Sequence, residues 1–291
     1  MEGKCVDNAN NKMSFKRFLE LYAIYARMDL DFLRDWKVSV MCIIADMLSN
    51  IASVSGVFLL AWRFDGIGGM SRWDVLFMLG YVTCITGLFQ MFFSSDNTGH
   101  ISRVIGRGQL DHIFIQPIPL PVHFMTAGFI PFTGCQNLIF GIGIVIWSLD
   151  GMGKTPGILW ILCLIGYLFI SMTIIIGLSY LFSSLTFKWQ IAFEEISSTV
   201  IDRLTGVLSN YPLSGMPVMI QWTLVTVMPA GLLGWFPACA LLLDKPPLGL
   251  SVFYPLIIAV LIWTLAAFAF RKGFKYYVRI GSNRYSPYGR H

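Results

Sequence analysis

Hydrophobic residues in this chain are gathered into blocks separated by short polar intervals. Five blocks, Val38 to Trp62, Trp73 to Phe93, Val122 to Leu149, Gly157 to Leu185 and Val252 to Phe270, are long and nearly free of charge. Crossing a hydrocarbon core of about 30 Å takes roughly 20 helical residues, so each block predicts one transmembrane helix. Continuous apolarity also excludes barrel strands, which alternate in polarity. A sixth block differs: no Asp, Glu, Lys or Arg occurs between Arg203 and Asp244, yet Pro212, Pro217, Pro229 and Pro237 interrupt it. Proline removes a backbone donor and clashes with the preceding turn. The pattern predicts a span from about Leu213 to Met228, then a broken, partly re-entrant pair from Ala230 to Leu243, with two short full spans as the alternative.

The polar intervals have periodicities of their own. From Ser14 to Trp36, Phe15, Phe18, Leu19, Tyr22, Tyr25, Ala26 and Phe32 recur at helical spacing opposite Lys16, Arg17, Glu20, Arg27, Asp31 and Arg34. That suits a helix lying in the membrane interface, or one packed on a partner. Phe187 to Asn210 alternates Lys188, Glu194, Glu195, Asp202 and Arg203 with Ile191, Phe193, Ile196, Val200, Ile201 and Leu204, and reads as a second cytoplasmic amphipathic segment. The connection from Ser94 to Pro121 is long for a turn between spans and holds the tract GRGQLDHIFIQPIPLP. Within it Leu110, Ile113 and Phe114 fall at i, i+3 and i+4, one short face able to fill a groove on another protein or to lie on lipid headgroups.

The expected fold class is therefore all-α integral membrane, with six transmembrane helices, an N-terminal interfacial amphipathic helix and a broken or re-entrant segment before the last span. The boundaries run as a disordered N-terminus over 1–13, an interfacial helix over 14–37, a transmembrane domain over 38–270 and a basic tail over 271–291. Inside the domain lie a connecting segment at about 98–120, the second amphipathic segment at 187–210 and the re-entrant segment at about 230–243.

Composition agrees with this pattern: 56% of the 291 residues are hydrophobic, 13% are charged, and mean hydropathy is +0.67. These values lie far from the soluble balance. Lys and Arg accumulate on the cytoplasmic side of membrane proteins. Six crossings with both termini cytoplasmic place 17 of the 21 Lys and Arg inside, leaving Arg63, Arg72, Lys154 and Lys245 outside. An odd number would strand the basic tail on the wrong side. The expected location is a bacterial-type inner or plasma membrane. The net charge of +5 follows from this topology and gives no reason to invoke nucleic acid. The six cysteines show no CxxC or zinc-type spacing, and the first 37 residues lack the apolar core of a cleavable signal peptide.

Candidate chemistry is sparse. Gly153-Lys154-Thr155 resembles the end of a phosphate-binding loop, but Ser148 stands where that loop needs glycine, and the tract falls in a turn between spans. Glu194 and Glu195 are adjacent, so on a helix they point about 100° apart, and neither has a histidine partner nearby in sequence. His100, His112 and His123 are separated by Pro117, Pro119 and Pro121, which does not suit a shared metal. The chain carries no catalytic residues and no metal site in this reading. Asp46 is the one acid deep in a clear span, where a carboxylate costs roughly 2.5–3.5 kcal/mol on insertion scales. Ser39, Cys42, Ser49, Asn50 and Ser53 share its helix face. That stripe, with Thr83, Gly87, Gln90 and Ser94 in the second span and Thr126, Thr133 and Asn137 in the third, lines either a substrate pathway or a helix packing seam.

Order and topology together resemble the permease subunit of a type-2 ABC exporter, in the ABC-2 permease superfamily of drug, lipid and polysaccharide exporters. The resemblance rests on the interfacial helix, the six spans, Gly106-Arg107-Gly108-Gln109-Leu110-Asp111 with Pro117 after it, and the late run Tyr211-Pro212, Pro229 and Phe236-Pro237. Gln109 departs from the pattern, since similar sequences often carry an acid there. The resemblance implies that Ile101, Arg103, Val104, Arg107, Gly108, Leu110, Asp111, Ile113, Phe114 and Pro117 form the element that seats in an ATPase subunit. It also implies that Pro212, Pro229 and Pro237 break the helices before the last span. The implied partners are cytoplasmic ABC ATPases carrying ATP and Mg, and a second copy or a paralogous permease. No cofactor is expected in this chain. The implied function is export of an amphipathic drug, peptide, lipid or glycan. The competing readings are a membrane scaffold or sensor that recruits a cytoplasmic protein, and an ion-coupled secondary transporter using Asp46.

Overall fold

The computed structural model describes residues 15–93, 98–116, 118–206, 208–243 and 247–281. The expected disordered lead over 1–13, Pro117, Ser94 and the end of the tail lie outside them. The helices are α1 (Phe15–Arg34), α2 (Trp36–Arg63), α3 (Arg72–Phe93), α4 (Ile101–Gly106), α5 (Leu110–Ile115), α6 (Leu120–Thr126), α7 (Pro131–Gly151), α8 (Ile158–Ser183), α9 (Ile196–Gly206), α10 (Val218–Thr226), α11 (Trp235–Leu242) and α12 (Tyr254–Ile280). Helices α2, α3, α7, α8 and α12 are long and apolar enough to cross a membrane. The third span is shorter than expected, because residues 122–126 belong to the separate α6 and α7 begins at Pro131. The tail is shorter too, since residues 271–280 continue α12.

Close backbone approach sets the centre of the bundle. Helices α3 and α7 pack antiparallel through glycines seven apart on each: Gly80 and Gly87 on α3, Gly134 and Gly141 on α7. A Cβ at Gly141 would lie 2.6 Å from the Cys84 amide nitrogen, and one at Gly134 would lie 2.8 Å from the Met91 Cα. Without hydrophobic driving force in lipid, such intimate packing holds transmembrane helices together. Gly141→Val is expected to lower stability by about 1–3 kcal/mol, as overpacking does. The midpoint of denaturant unfolding in micelles checks this.

Contacts along the bundle fix the direction of each crossing. Tyr167, in the first half of α8, donates to the Val252 carbonyl at 3.2 Å, and Trp263 donates to the Thr173 carbonyl at 3.0 Å. At the other end Phe187 packs edge-on against Phe270 and Tyr277. Helices α8 and α12 therefore run the same way, so the chain must return across the bundle between them. The return begins where Ser197 meets Ser102, continues as Asn210 donates to Ser53, and ends where Gly215 abuts Gly68 in the α2–α3 turn. Helix α9 and the 3-10 turns after it thus make the fifth crossing.

Two expectations change as a result. The segment 187–210 does not stay outside the bundle, because its second half is that crossing. Leu213 to Met228 is not a span, since α10 has nine residues and rises only about 14 Å. Instead α10 and Ala230–Leu242 form a re-entrant pair bent by 78°. The turn reaches inward until Ser171, itself hydrogen-bonded to Tyr81, donates to the Leu232 carbonyl. It then climbs back to the end where it started, where Trp160 and Lys154 donate to the Leu241 and Leu242 carbonyls. Pro229 sits at the bend, Pro212 leads into the turn Leu213–Gly215, and Pro237 occupies the first turn of α11, where its missing donor costs nothing. Lys154 of the phosphate-loop lookalike is engaged in holding this pair.

Helix α1 lies against α6 and α7. Tyr22 donates to the Met125 carbonyl at 3.0 Å and stacks edge-on against Phe129. Asp29, buried at 4% exposure, accepts from the Phe132 and Thr133 amides at 2.7 and 3.1 Å and from the Thr133 hydroxyl at 2.7 Å. Ile130, at the N-cap of α7, has no side-chain acceptor, so Asp29 supplies the missing cap from another helix.

Candidate functional site

Two places carry the predicted site residues: the α4–α5 segment at one end of the bundle, and the polar face of α2. In the first, Gly108 adopts φ +70° and lets the chain fold α5 back onto α4. A Cβ at Gly106 would lie 2.9 Å from the Gln190 carbonyl oxygen, so glycine there admits the chain preceding α9. Ile101, Val104, Leu110 and Ile113 are buried with Ile105, Phe124, Phe187 and Tyr277 in a small core of their own. The expectation that Leu110, Ile113 and Phe114 present one face outward is thereby corrected. Leu110 is 1% exposed and packs inward, while Phe114 is 44% exposed and stacks edge-on with Phe274. The outward groups are Arg107, Gln109, Asp111, His112, Phe114, Ile115 and Gln116. Helical spacing told which residues share a face, but not that this chain supplied the groove.

The segment is fastened to two crossings. Arg103 donates from Nε and Nη2 to the two carboxylate oxygens of Glu195 at 2.8 and 2.6 Å, and Arg107 donates to Glu194 at 2.9 Å. The Ser102 and Ser197 hydroxyls lie 2.6 Å apart, and each accepts from the other residue's amide. The Arg103 guanidinium holds the Glu195 carboxyl below its ordinary range. Glu194 and Glu195, read from the sequence as polar positions of an amphipathic segment, are thus the partners of Arg103 and Arg107. On the other side Tyr277 of α12 donates to Asp111 at 2.9 Å. Exposed ion pairs contribute little stability. What these contacts provide is position, tying α4 to the start of the fifth crossing and α5 to the end of the sixth.

The second place is a ladder of polar rungs. Asn50 donates to Asn137 at 2.6 Å, Asn137 donates to Gln90, Gln136 donates to Asp46 at 3.2 Å, and Asn210 donates to Ser53 at 3.1 Å. The stripe on α2 therefore meets α3, α7 and the fifth crossing. Thr83 takes no part, since its hydroxyl returns to the Leu79 carbonyl of its own helix. Ser49 is exposed beside Asp46. Among the described residues no three His, Cys, Asp or Glu come together as a metal site. The signal missed in the sequence is Asp29, a lone acid on the apolar side of an amphipathic helix, opposite a helix start that has no cap of its own.

No curated protein and no solved structure matches the chain. Its sequence does match the family described as ABC-2 family transporter protein, over residues 47–281. That match takes in the later part of α2, the long helices α3, α7, α8 and α12, the fastened connection and the re-entrant pair. The chain, a multi-pass helical membrane protein, belongs to the ABC-2 transporters and is a permease of that family.

Proposed function

We propose that the chain is the membrane half of an exporter driven by separate ATP-binding subunits, which seat on the outer side of α5. The observation that carries this is Ile115, 80% exposed at the end of a segment whose other aliphatic side chains are mostly buried. An apolar residue kept outside a formed core, flanked by His112 and Gln116, fits a protein groove. ATP binding would move α5, and the contacts at Glu195 and Tyr277 would pass that movement to the fifth and sixth crossings. For this to bias the permease, ATP must bind one arrangement of the subunits better than the other. Two permease copies, identical or paralogous, would enclose the pathway, with the α2 rungs on its wall. The basic ends support a topology with both termini on the cytoplasmic side of an inner or plasma membrane. The cargo class that suits a pathway with Ser, Asn and aromatic walls is amphipathic, and its movement is outward.

Ile115→Asp is expected to abolish co-purification with the ATPase while membrane insertion and yield stay unchanged. Undiminished association and ATPase stimulation would overturn the docking face. Leu110→Asp would not serve, because it places a charge in the small core and unfolds the segment.

A further inference from the structure

We propose that Asp46 and Gln136 form an acceptor site for the protonated amine of a transported molecule, an inference that rests on the permease reading and narrows its cargo. Asp46 lies ten residues into α2, about 15 Å along its axis. Its side chain is exposed at the edge of the packing seam, where Gln136 gives it a single hydrogen bond. Among the described residues it has no ion-pair partner. The Gln136 side-chain oxygen is buried and has no hydrogen-bond partner. An exposed carboxylate on α2 thus takes its hydrogen bond from an α7 amide whose own oxygen is left unpaired, both within spanning helices. Neighbouring Asn50 cannot relieve them, since its amide group donates to the Asp46 backbone carbonyl and to Asn137.

A packing role alone would pair these groups with donors, because unsatisfied polar atoms are costly in lipid. A primary or secondary ammonium supplies what is missing: a positive charge and an N–H for the exposed Asp46, and, once the Gln136 amide turns to admit it, an N–H for the Gln136 oxygen that is otherwise buried. A neutral alcohol lacks the charge, and an anion is repelled. The site therefore selects amphipathic amines, with the apolar part of the molecule left to the flanking aliphatic residues.

The test uses the intact permease–ATPase complex in nanodiscs and a pair of fluorescent probes with the same alkyl tail, one ending in a primary ammonium and one in a sulfonate. The ammonium probe is expected to bind at least about tenfold tighter, as a charge-assisted hydrogen bond implies. Asp46→Asn and Gln136→Lys should each erase the preference. Equal binding of both probes, or an unchanged preference in both variants, would overturn the site. ATPase co-purification is measured on the same samples. Intact association without amine preference defeats this site alone, whereas lost association in the parent protein defeats the proposed coupling to an ATPase.

Discussion

Asp29→Ala is expected to destabilise the protein by about 2–4 kcal/mol, combining the loss of a helix cap with donors left unpaired in a buried place. The carboxylate receives three hydrogen bonds at the start of α7, and the positive end of that helix adds to its stabilisation. Removing it leaves the Phe132 and Thr133 amides and the Thr133 hydroxyl facing an apolar gap. It also releases α1, whose other polar tie to this region is the Tyr22 hydroxyl on Met125. Asp29→Asn keeps an acceptor without the charge and should lose roughly half as much. Denaturant titration in micelles measures both, and a loss under about 0.5 kcal/mol for the alanine variant, the level of an ordinary surface substitution, would show that Asp29 does not cap α7.

Reversing one charge of the α4–α9 contact should cost function more than stability. Arg103→Glu puts a third carboxylate beside Glu194 and Glu195, so α4 is repelled from the start of the fifth crossing. Stimulation of the ATPase by the permease is expected to fall by about tenfold, within the usual span of coupling free energies. The exposed pair itself contributes only about 0.2–1 kcal/mol of stability. Adding Glu195→Arg restores an opposite-charge pair and should recover most of the loss. Failure of the double variant to recover, with both proteins folded, would remove this contact from the coupling route. Because Arg103 holds the Glu195 carboxyl below its usual 4.5, the pair's contribution is complete above that pH. It is lost only as pH falls through the lower folded value. Coupling should therefore be flat from pH 8 to 5 as far as this pair is concerned.

The five long spans were legible because length and apolarity are properties of the sequence itself, and lipid leaves a helix as the only choice. The fifth crossing was not, because α9 has eleven residues and carries Asp202 and Arg203. Only its neighbours, Ser102 below, Ser53 midway and Gly68 above, identify it as a crossing. The prolines correctly announced a broken helix before the last span, but not which limbs would pair. Leu110 shows a different failure. Its spacing defines an apolar face, yet a face turned toward Phe187 and Tyr277 has the same sequence pattern as one turned toward a partner. Asp29 could have been suspected, since Pro131 starts a helix and nothing next to it can cap.

The short fifth crossing also constrains how the protein is made. A segment with two charges and eleven helical residues is a poor insertion signal, so the translocation machinery has little reason to release it sideways into lipid on its own. It must enter with a surface already prepared for it, the polar rungs of α2 and the buried Ser102 hydroxyl of α4. Its far end is held by the re-entrant pair, and α12 then commits the chain to its final side. Insertion of this crossing is therefore expected to be a late, cooperative step that waits for the C-terminal helix. A ribosome stalled before Tyr254 would hold a chain whose fifth crossing has not yet been committed to the membrane.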